Sequence, residues 1–474
     1  MNRITPTTST TPTTSLTQAL AAFVAQPTFG DDEQAACDIA KTGFIDVLAT
    51  MMAGCQEPVV GIVRAHVGHG GNSQTPAEAP VVPFTGVMLP SAQAACINGV
   101  AAHALDFDDV ALSAHTSTVL VPAILAEGHL LDISGRDALR AYVVGYEVWA
   151  ELFAREPDQY HLKGWHPTGV FGTVGAAASI AYLHRLPEEQ TRQALAIAAS
   201  MASGLVANFG TMTKPFHAGR AAACAIEAVR LSMLGLTSTP DVFEHPAGYL
   251  NALSPAGRVD RTRPATGLGQ VLRILDNGLS IKRYPVCYSS HRMIDGVLAI
   301  AERENLQPAQ VSRVRVTIGA AQASMLRNHS PQTGLEAKFS AEFAVASALI
   351  ARQVGLVQLT DHFVCTDEVR TLMNKVEVAI TDRLCPLDPA FAYADRVEIE
   401  LVDGRFFDSG DIRFAHGNAK LPLNPAGLRQ KFMDCMAVSP WSADAQRENG
   451  DRGTRLYERI AQLESLPRLR QLFE

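Results

Sequence analysis

The chain has no C-x-x-C pair among its cysteines, no secretory core at its start, no excess of positive charge and no uninterrupted apolar run of membrane length. Each absence removes a class of function. Cys37, Cys55, Cys96, Cys224, Cys287, Cys365, Cys385 and Cys435 are scattered along the sequence, which sets aside a zinc ribbon or a disulfide framework and implies free thiols in a reducing compartment. Charges and prolines interrupt every apolar stretch before the roughly 20 residues that a membrane helix needs. A formal net charge of −8 provides no overall basic field, which argues against a dedicated nucleic-acid binder. The opening MNRITPTTSTTPTTSL is rich in Thr, Ser and Pro, and with a single Arg3 it makes a poor transit peptide. Residues 1–15 therefore read as a flexible tail. Neither an internal repeat nor a long linker is present. The expectation is a soluble, cytoplasmic protein with neither nucleic acid nor membrane as a partner.

What is there is a chain of 474 residues with 47% hydrophobic content, enough to bury one large core and a smaller one. Over residues 16–278 apolar residues recur at helical spacing. DDEQAACDIAKTGFIDVLATMMAG offers Asp31 and Asp32 as caps, Gly54 as a stop and Ile39, Phe44, Val47 and Leu48 as one stripe. Strings such as GAAAS and AIAAS let helices approach closely and suit helices buried all round. After residue 278 the character changes. VSRVRVTIG and VEVAITD alternate, and RVEIELVDGRFFDS reads as a hairpin turning at Asp403-Gly404. Between them FSAEFAVASALIARQVG is a helix that Gly355 can stop. Residues 279–413 thus form an α/β domain, and residues 414–474 return to helical spacing and pack back on the first part. The fold class is mainly α, with a smaller α+β second domain.

Polar residues embedded in small, apolar helical text carry the functional signal, because burying them is costly unless they are paired or used. In NGVAAHALDFDDVALSAHTS, His103 and Asp106 lie three apart, on one helical face, and Asp108, Asp109 and His115 follow where the periodicity breaks. A carboxylate beside a histidine fixes its tautomer, as a general base requires. The plainer alternatives are helix capping by Asp108 or Asp109 and a core histidine in His103. In GWHPTGVFG, His166 precedes Pro167, which biases it away from helix just before helical text begins. An imidazole beside a helix N-terminus suits an anionic ligand. In NFGTMTKPFHAGRAAA, Lys214 stands before Pro215 at another helix start, with His217 and Arg220 one turn inside; such cations would hold a carboxylate. LSIKRYPVCYSSHRMIDG gathers Lys282, Arg283, Tyr284, Cys287 and His291 at the junction of the two parts, where small-molecule sites usually form. Cys287 has no evident activation and reads as filler. Glu336 and Lys338 in EAKFSAEF could be an exposed pair.

The strings LDFDD, W-H-P-T-G, T-M-T-K-P-x-H-A-G-R-A-A, K-R-Y-P-x-C-x-x-x-H and E-A-K-F-S occur in this order from about Asn98 to about Ser340, followed by L-P-x-N-P-x-G-L-x-x-K-F. In both wording and order they resemble the MmgE/PrpD family, which includes 2-methylcitrate dehydratase, cis-aconitate decarboxylase and iminodisuccinate epimerase. The resemblance implies a large all-helical domain, a smaller α/β domain, an active site between them, a homodimer and no organic cofactor. Positions matching those used by the decarboxylase branch are Asp106, His115, His166, Lys214 and Lys282. That branch also uses a tyrosine in the region of Phe343, where this sequence has none, and the absence weighs against decarboxylation. The wording of NFGTMTKP and of the C-x-x-x-H after Tyr284 looks closer to the epimerase type than to the methylcitrate dehydratase type.

Dehydration, decarboxylation and epimerisation of such acids share one difficulty, the stabilisation of a carbanion or enolate beside a carboxylate. Lysines and helix N-termini neutralise the carboxylate and a histidine moves the proton. On this reading His115 and His166 share the base and acid roles, Asp106 orients a histidine, and Lys214 with Lys282 take substrate carboxylates. His103, His217, Arg220, Tyr284 and His291 would add contacts to a small polycarboxylate. The expectation is a lyase or isomerase of dehydratase or epimerase type with no bound metal, and a cis-aconitate-type decarboxylase is the alternative. Two other classes compete with it: a metal-dependent hydrolase built on His103, Asp106, Asp108 and His115, and a non-catalytic helical interaction protein.

Overall fold

A computed structural model describes residues 14–69, 81–82, 87–386, 390–440 and 452–473; nearly all of the Thr-rich start expected as a tail lies outside them. The first part is built from α1 (Leu16–Ala25), α2 (Glu33–Gly54), α3 (Pro58–His69), α4 (Ser91–His103), α5 (Ser117–Leu131), α6 (Gly135–Phe153), α7 (Pro167–Leu183), α8 (Glu188–Met201) and α9 (Thr213–Met233). Local signals set several of their ends. The Ser15 and Ser134 hydroxyls accept from the Gln18 and Asp137 N–H groups and cap α1 and α6, and Pro167 takes the first position of α7. Asp32, expected as a cap, stands at the N-cap of α2 without a side-chain bond.

Glycine decides how close two of these helices come. A Cβ on Gly99 of α4 would lie 2.8 Å from the Gly219 Cα, and one on Gly219 of α9 would lie 2.2 Å from the Cys96 carbonyl oxygen. The two backbones therefore touch. His103 follows Gly99 by about one turn and Lys214 precedes Gly219 by slightly more, so this contact brings the end of α4 to the start of α9.

The second part contains a mixed sheet of β3 (Val311–Gly319), β4 (Val376–Thr381), β5 (Arg396–Leu401) and β6 (Phe406–Asp408), in the order β4-β3-β5-β6; β1 (Val81–Val82) and β2 (Val87–Met88) form a separate small ribbon. β3 runs parallel to β4 and antiparallel to β5, and β5 and β6 form the expected hairpin, with Gly404 at φ 85°. Val314, Val316 and Ile318 face the core, and a register shift between Val311 and Arg313 turns Val311 inward as well. The helix Ala341–Ala351 ends one turn earlier than expected: Arg352 takes the left-handed conformation at φ 54° and stops it, not Gly355.

The apolar side chains collect in two cores. One draws on α1–α9 together with Leu279, Ile281, Phe432, Cys435, Met436, Leu456 and Ile460. The other lies between the sheet and the helices His291–Arg303 and Ala341–Ala351, and it includes Phe209 from the helical part. Among the described residues no single helix is long and apolar enough to cross a membrane. Because the α4–α9 contact is backbone on backbone, Gly219→Ala is expected to destabilise the protein by about 1–3 kcal/mol. Urea unfolding compared with the wild type measures it.

Candidate active site

Helix α4 stops at His103, and three residues later Asp106 adopts φ 53°, a left-handed conformation that costs an L-residue about 1–2 kcal/mol. His103 and Asp106 are therefore not on one helical face. The turn aims the Asp106 carboxylate at two cations. Lys214 Nζ donates to Asp106 Oδ1 at 2.7 Å, and Lys282 Nζ donates to the same oxygen at 2.8 Å and to the Asp106 carbonyl at 2.6 Å. All three residues are buried. Burial by itself would raise the Asp106 carboxyl, but Lys214 and Lys282 hold it well below the usual range.

Asp108, for which helix capping was the plainer alternative, holds histidines instead. Asp108 accepts from His103 Nδ1 at 2.8 Å and lies 3.1 Å from His115 Nδ1, which also sits 3.0 Å from the Asp109 carbonyl oxygen. One buried carboxylate thus orients two imidazoles, leaving His115 Nε2 as the face turned toward Asp106, 3.7 Å away. The first turn of α7 supports this arrangement, because Thr168 Oγ1 accepts from the His115 N–H at 3.1 Å. His166 occupies the N-cap of α7 with an extended backbone, and its Nδ1 meets His217 Nδ1 at 3.1 Å. Burial pushes His115 below its ordinary value by more than Asp108 raises it, and Lys214 and Lys282 add to the depression. Burial and then Lys214 take His166 well below and His217 to about 4, and burial takes His103 to about 3. At neutral pH these imidazoles are uncharged.

A cavity of about 290 Å³ opens onto this arrangement. Asp106, His115, His166, Lys214 and Lys282 line it, with Cys287, Tyr288, His161 and the apolar Phe209, Phe339, Met325 and Phe391 around them. The five residues that the sequence put forward for catalysis therefore share one chamber. The proposed substrate contacts fare differently. His103 and His217 stand behind His115 and His166. Arg220 is an exposed residue of α9 that pairs with Glu227 at 3.4 Å, because it points out of the helix face opposite the core. Tyr284 donates its hydroxyl to Asp295 at 2.7 Å, and His291 lies 3.3 Å from the Val286 carbonyl oxygen. Both are buried, and neither lines the cavity.

Other expectations need correction too. Glu336 and Lys338 do not form an exposed pair: Lys338 is buried, donates to the Ala104 carbonyl at 3.3 Å and is pushed down by burial to about 8. Phe343, which marks the region where the decarboxylase branch carries a tyrosine, lies in the second core and does not line the cavity. Sequence reasoning passed over His161, Tyr288 and the aromatic wall. His161 sits in a polar stretch that reads as a loop, and Phe209 and Phe339 look like ordinary core residues until the chamber is assembled.

The chain matches the MmgE/PrpD N-terminal domain over residues 18–262 and the MmgE/PrpD C-terminal domain over residues 284–451. It belongs to the MmgE/PrpD family. Among curated members, it is 32% identical to cis-aconitate decarboxylase of Homo sapiens over 362 residues, which span 73% of each chain. The corresponding figure for the Mus musculus enzyme of the same name is 30%, over 73% of this chain and 71% of the relative. A cis-aconitate decarboxylase from Aspergillus terreus is 26% identical over 67% of this chain and 69% of its own. Within the family frame, this member is similar to enzymes that are lyases.

His103, Asp106, Asp108 and His115 also bring four potential metal-ligating atoms within 4.8 Å of one another. The surroundings do not fit a cation. Two ammonium groups already hold Asp106 at 2.7 and 2.8 Å, and Asp108 is engaged by both histidines. The site suits an anion instead. Replacing Asp106 by Asn leaves two buried ammonium groups facing each other without a counter-charge, a change expected to cost about 3–5 kcal/mol. A thermal-shift comparison with and without citrate should show a larger ligand-induced stabilisation for D106N than for the wild type.

Proposed function

We propose that this MmgE/PrpD member is a lyase that decarboxylates an unsaturated tricarboxylic acid of the cis-aconitate class. The observation that carries this reading is the convergence of Lys214 and Lys282 on one carboxylate oxygen at the wall of a chamber that His115 and His166 also line. The names of the similar enzymes support it. In the step proposed, the bond between a substrate carboxylate and its carbon breaks, and the electron pair passes into the adjoining C=C–carboxylate system. Carbon dioxide leaves, the double bond shifts toward the carbon that lost it, and the far carbon of the former double bond takes a proton from an imidazolium. The two ammonium groups stabilise the charge that builds on the conjugated carboxylate. The apolar aromatic wall keeps bulk water from competing.

The neutral resting state of His115 fits this step once substrate charge is considered. A bound polyanion beside a buried imidazole raises its pKa, so substrate brings with it the proton it will need. The free pKa lies below the ordinary value and the bound pKa lies above the free one, so the complex holds more protons than its separated parts. Binding is then expected to take up protons, and affinity is expected to strengthen as pH falls, approaching about tenfold per unit where the histidine titrates. Calorimetry of cis-aconitate binding in two buffers of different ionisation enthalpy measures this.

A second reading, epimerisation of a dicarboxylate, is favoured by one specific feature: two neutral imidazoles, His115 and His166, reach the same chamber from separate elements. One could remove a proton from one face of a carbon while the other, once protonated, returns it to the opposite face. Incubation with cis-aconitate, citrate, methylcitrate and aspartate-derived diacids in heavy water separates the outcomes. Carbon dioxide release with one deuterium in the product is expected. Exchange without loss of carbon selects epimerisation, loss of water selects dehydration, and no turnover or ligand-induced stabilisation across the panel overturns the assignment.

A further inference from the structure

The catalytic turn is held from behind by a lysine that the chamber does not contain. Lys431, on the helix Pro425–Val438 of the C-terminal stretch, is buried, donates to the Phe107 carbonyl at 2.7 Å and pairs with Asp46 of α2 at 2.6 Å. Its ammonium also lies 4.1 Å from the centre of the Phe107 ring. Phe107 directly follows Asp106, whose left-handed backbone is the costly element of the site. The neighbouring peptides are held in the same way, with Lys338 on the Ala104 carbonyl at 3.3 Å and Lys282 on the Asp106 carbonyl at 2.6 Å. Three lysines from three distant stretches of the chain thus each take one carbonyl of a single turn.

A buried ammonium needs a carboxylate, and Asp46 supplies one, but that does not explain the second bond. An ion pair made only for stability would be complete between α2 and the helix Pro425–Val438, whereas this one is completed on the peptide that sets the direction of Asp106. We propose that Lys431 is a positioning residue: by holding the Phe107 carbonyl from that helix it keeps the Asp106 carboxylate between Lys214 and Lys282. Its effect on rate rests on the lyase reading above; its effect on the geometry of the turn does not.

The two roles separate in a set of variants measured for melting temperature, kcat and KM. K431M leaves Asp46 buried and unpaired and is expected to lose stability as well as rate. The double variant D46N/K431M removes both charges together, so it recovers most of the stability. It still lacks the bond to Phe107, and its kcat is expected to stay at least about tenfold below wild type, with a smaller change in KM, since slight misplacement of catalytic groups costs rate on that scale. D46N alone keeps the bond to Phe107, and Asp109, which burial and then Asp46 raise to about 8, can ionise opposite Lys431 in its place. Its kcat is expected to stay near wild type. Wild-type kcat in the double variant, or a tenfold loss in D46N, overturns the proposal, and the D46N result decides alone if the double variant does not fold.

Nitrogen-15 NMR titration of the histidines makes the test independent of turnover. In D46N/K431M the loosened turn admits water, and the His115 pKa is expected to rise toward its ordinary value, while in D46N it stays depressed. An unmoved His115 in the double variant counts against positioning. If wild-type protein turns over no acid in the panel, the lyase reading has failed, and the NMR result alone decides the role of Lys431.

Discussion

One carboxylate oxygen shared by two buried ammonium groups organises the whole molecule. Burying three charges is unfavourable unless each finds partners, and here the partners come from the turn after α4, the start of α9 and the segment that joins the two cores. The requirement that Asp106 meet Lys214 and Lys282 at 2.7 and 2.8 Å accounts for its left-handed backbone, for the glycine contact that brings α4 against α9, and for the lysines that hold the surrounding carbonyls. The excess positive charge that remains faces a chamber, an arrangement whose chemistry suits an anion.

The histidines follow from the same electrostatics. Their burial beside two ammonium groups makes the charged imidazolium unfavourable in the free protein, and Asp108 offsets that only in part while fixing their orientation. On the proposed reading, a proton carrier of this kind waits for a negative ligand to charge it. With the chamber empty, Asp106 is the counter-charge of the two lysines.

The scaffold contributes by what it lacks as much as by what it has. Alanine- and glycine-rich helices pack with little side chain between them, and that closeness delivers residues far apart in sequence to one point. The second core does not create the charged centre. It closes the chamber with Phe339 and Met325, which make that side of the chamber apolar.

The helix-rich first part, the mixed strands after residue 278 and the hairpin at Asp403-Gly404 were all legible from periodicity and turn residues, because these depend on neighbours within a few positions. Polar residues inside apolar text likewise pointed to Asp106, His115, His166, Lys214 and Lys282, since a buried charge is conspicuous wherever it falls. Direction was not legible. Arg220 lies on the same helix as Lys214 yet points to solvent, Lys338 was read as an exposed pair and is buried behind the turn, and Lys431 stood out only as part of the L-P-x-N-P-x-G-L-x-x-K-F string, with no role attached. Sequence alone determined which residue types had to be paired or used, because the cost of burying them is intrinsic to their chemistry. Only the tertiary structure decided which of them face the chamber, because that depends on helix rotation, on one left-handed residue and on contacts between stretches hundreds of residues apart.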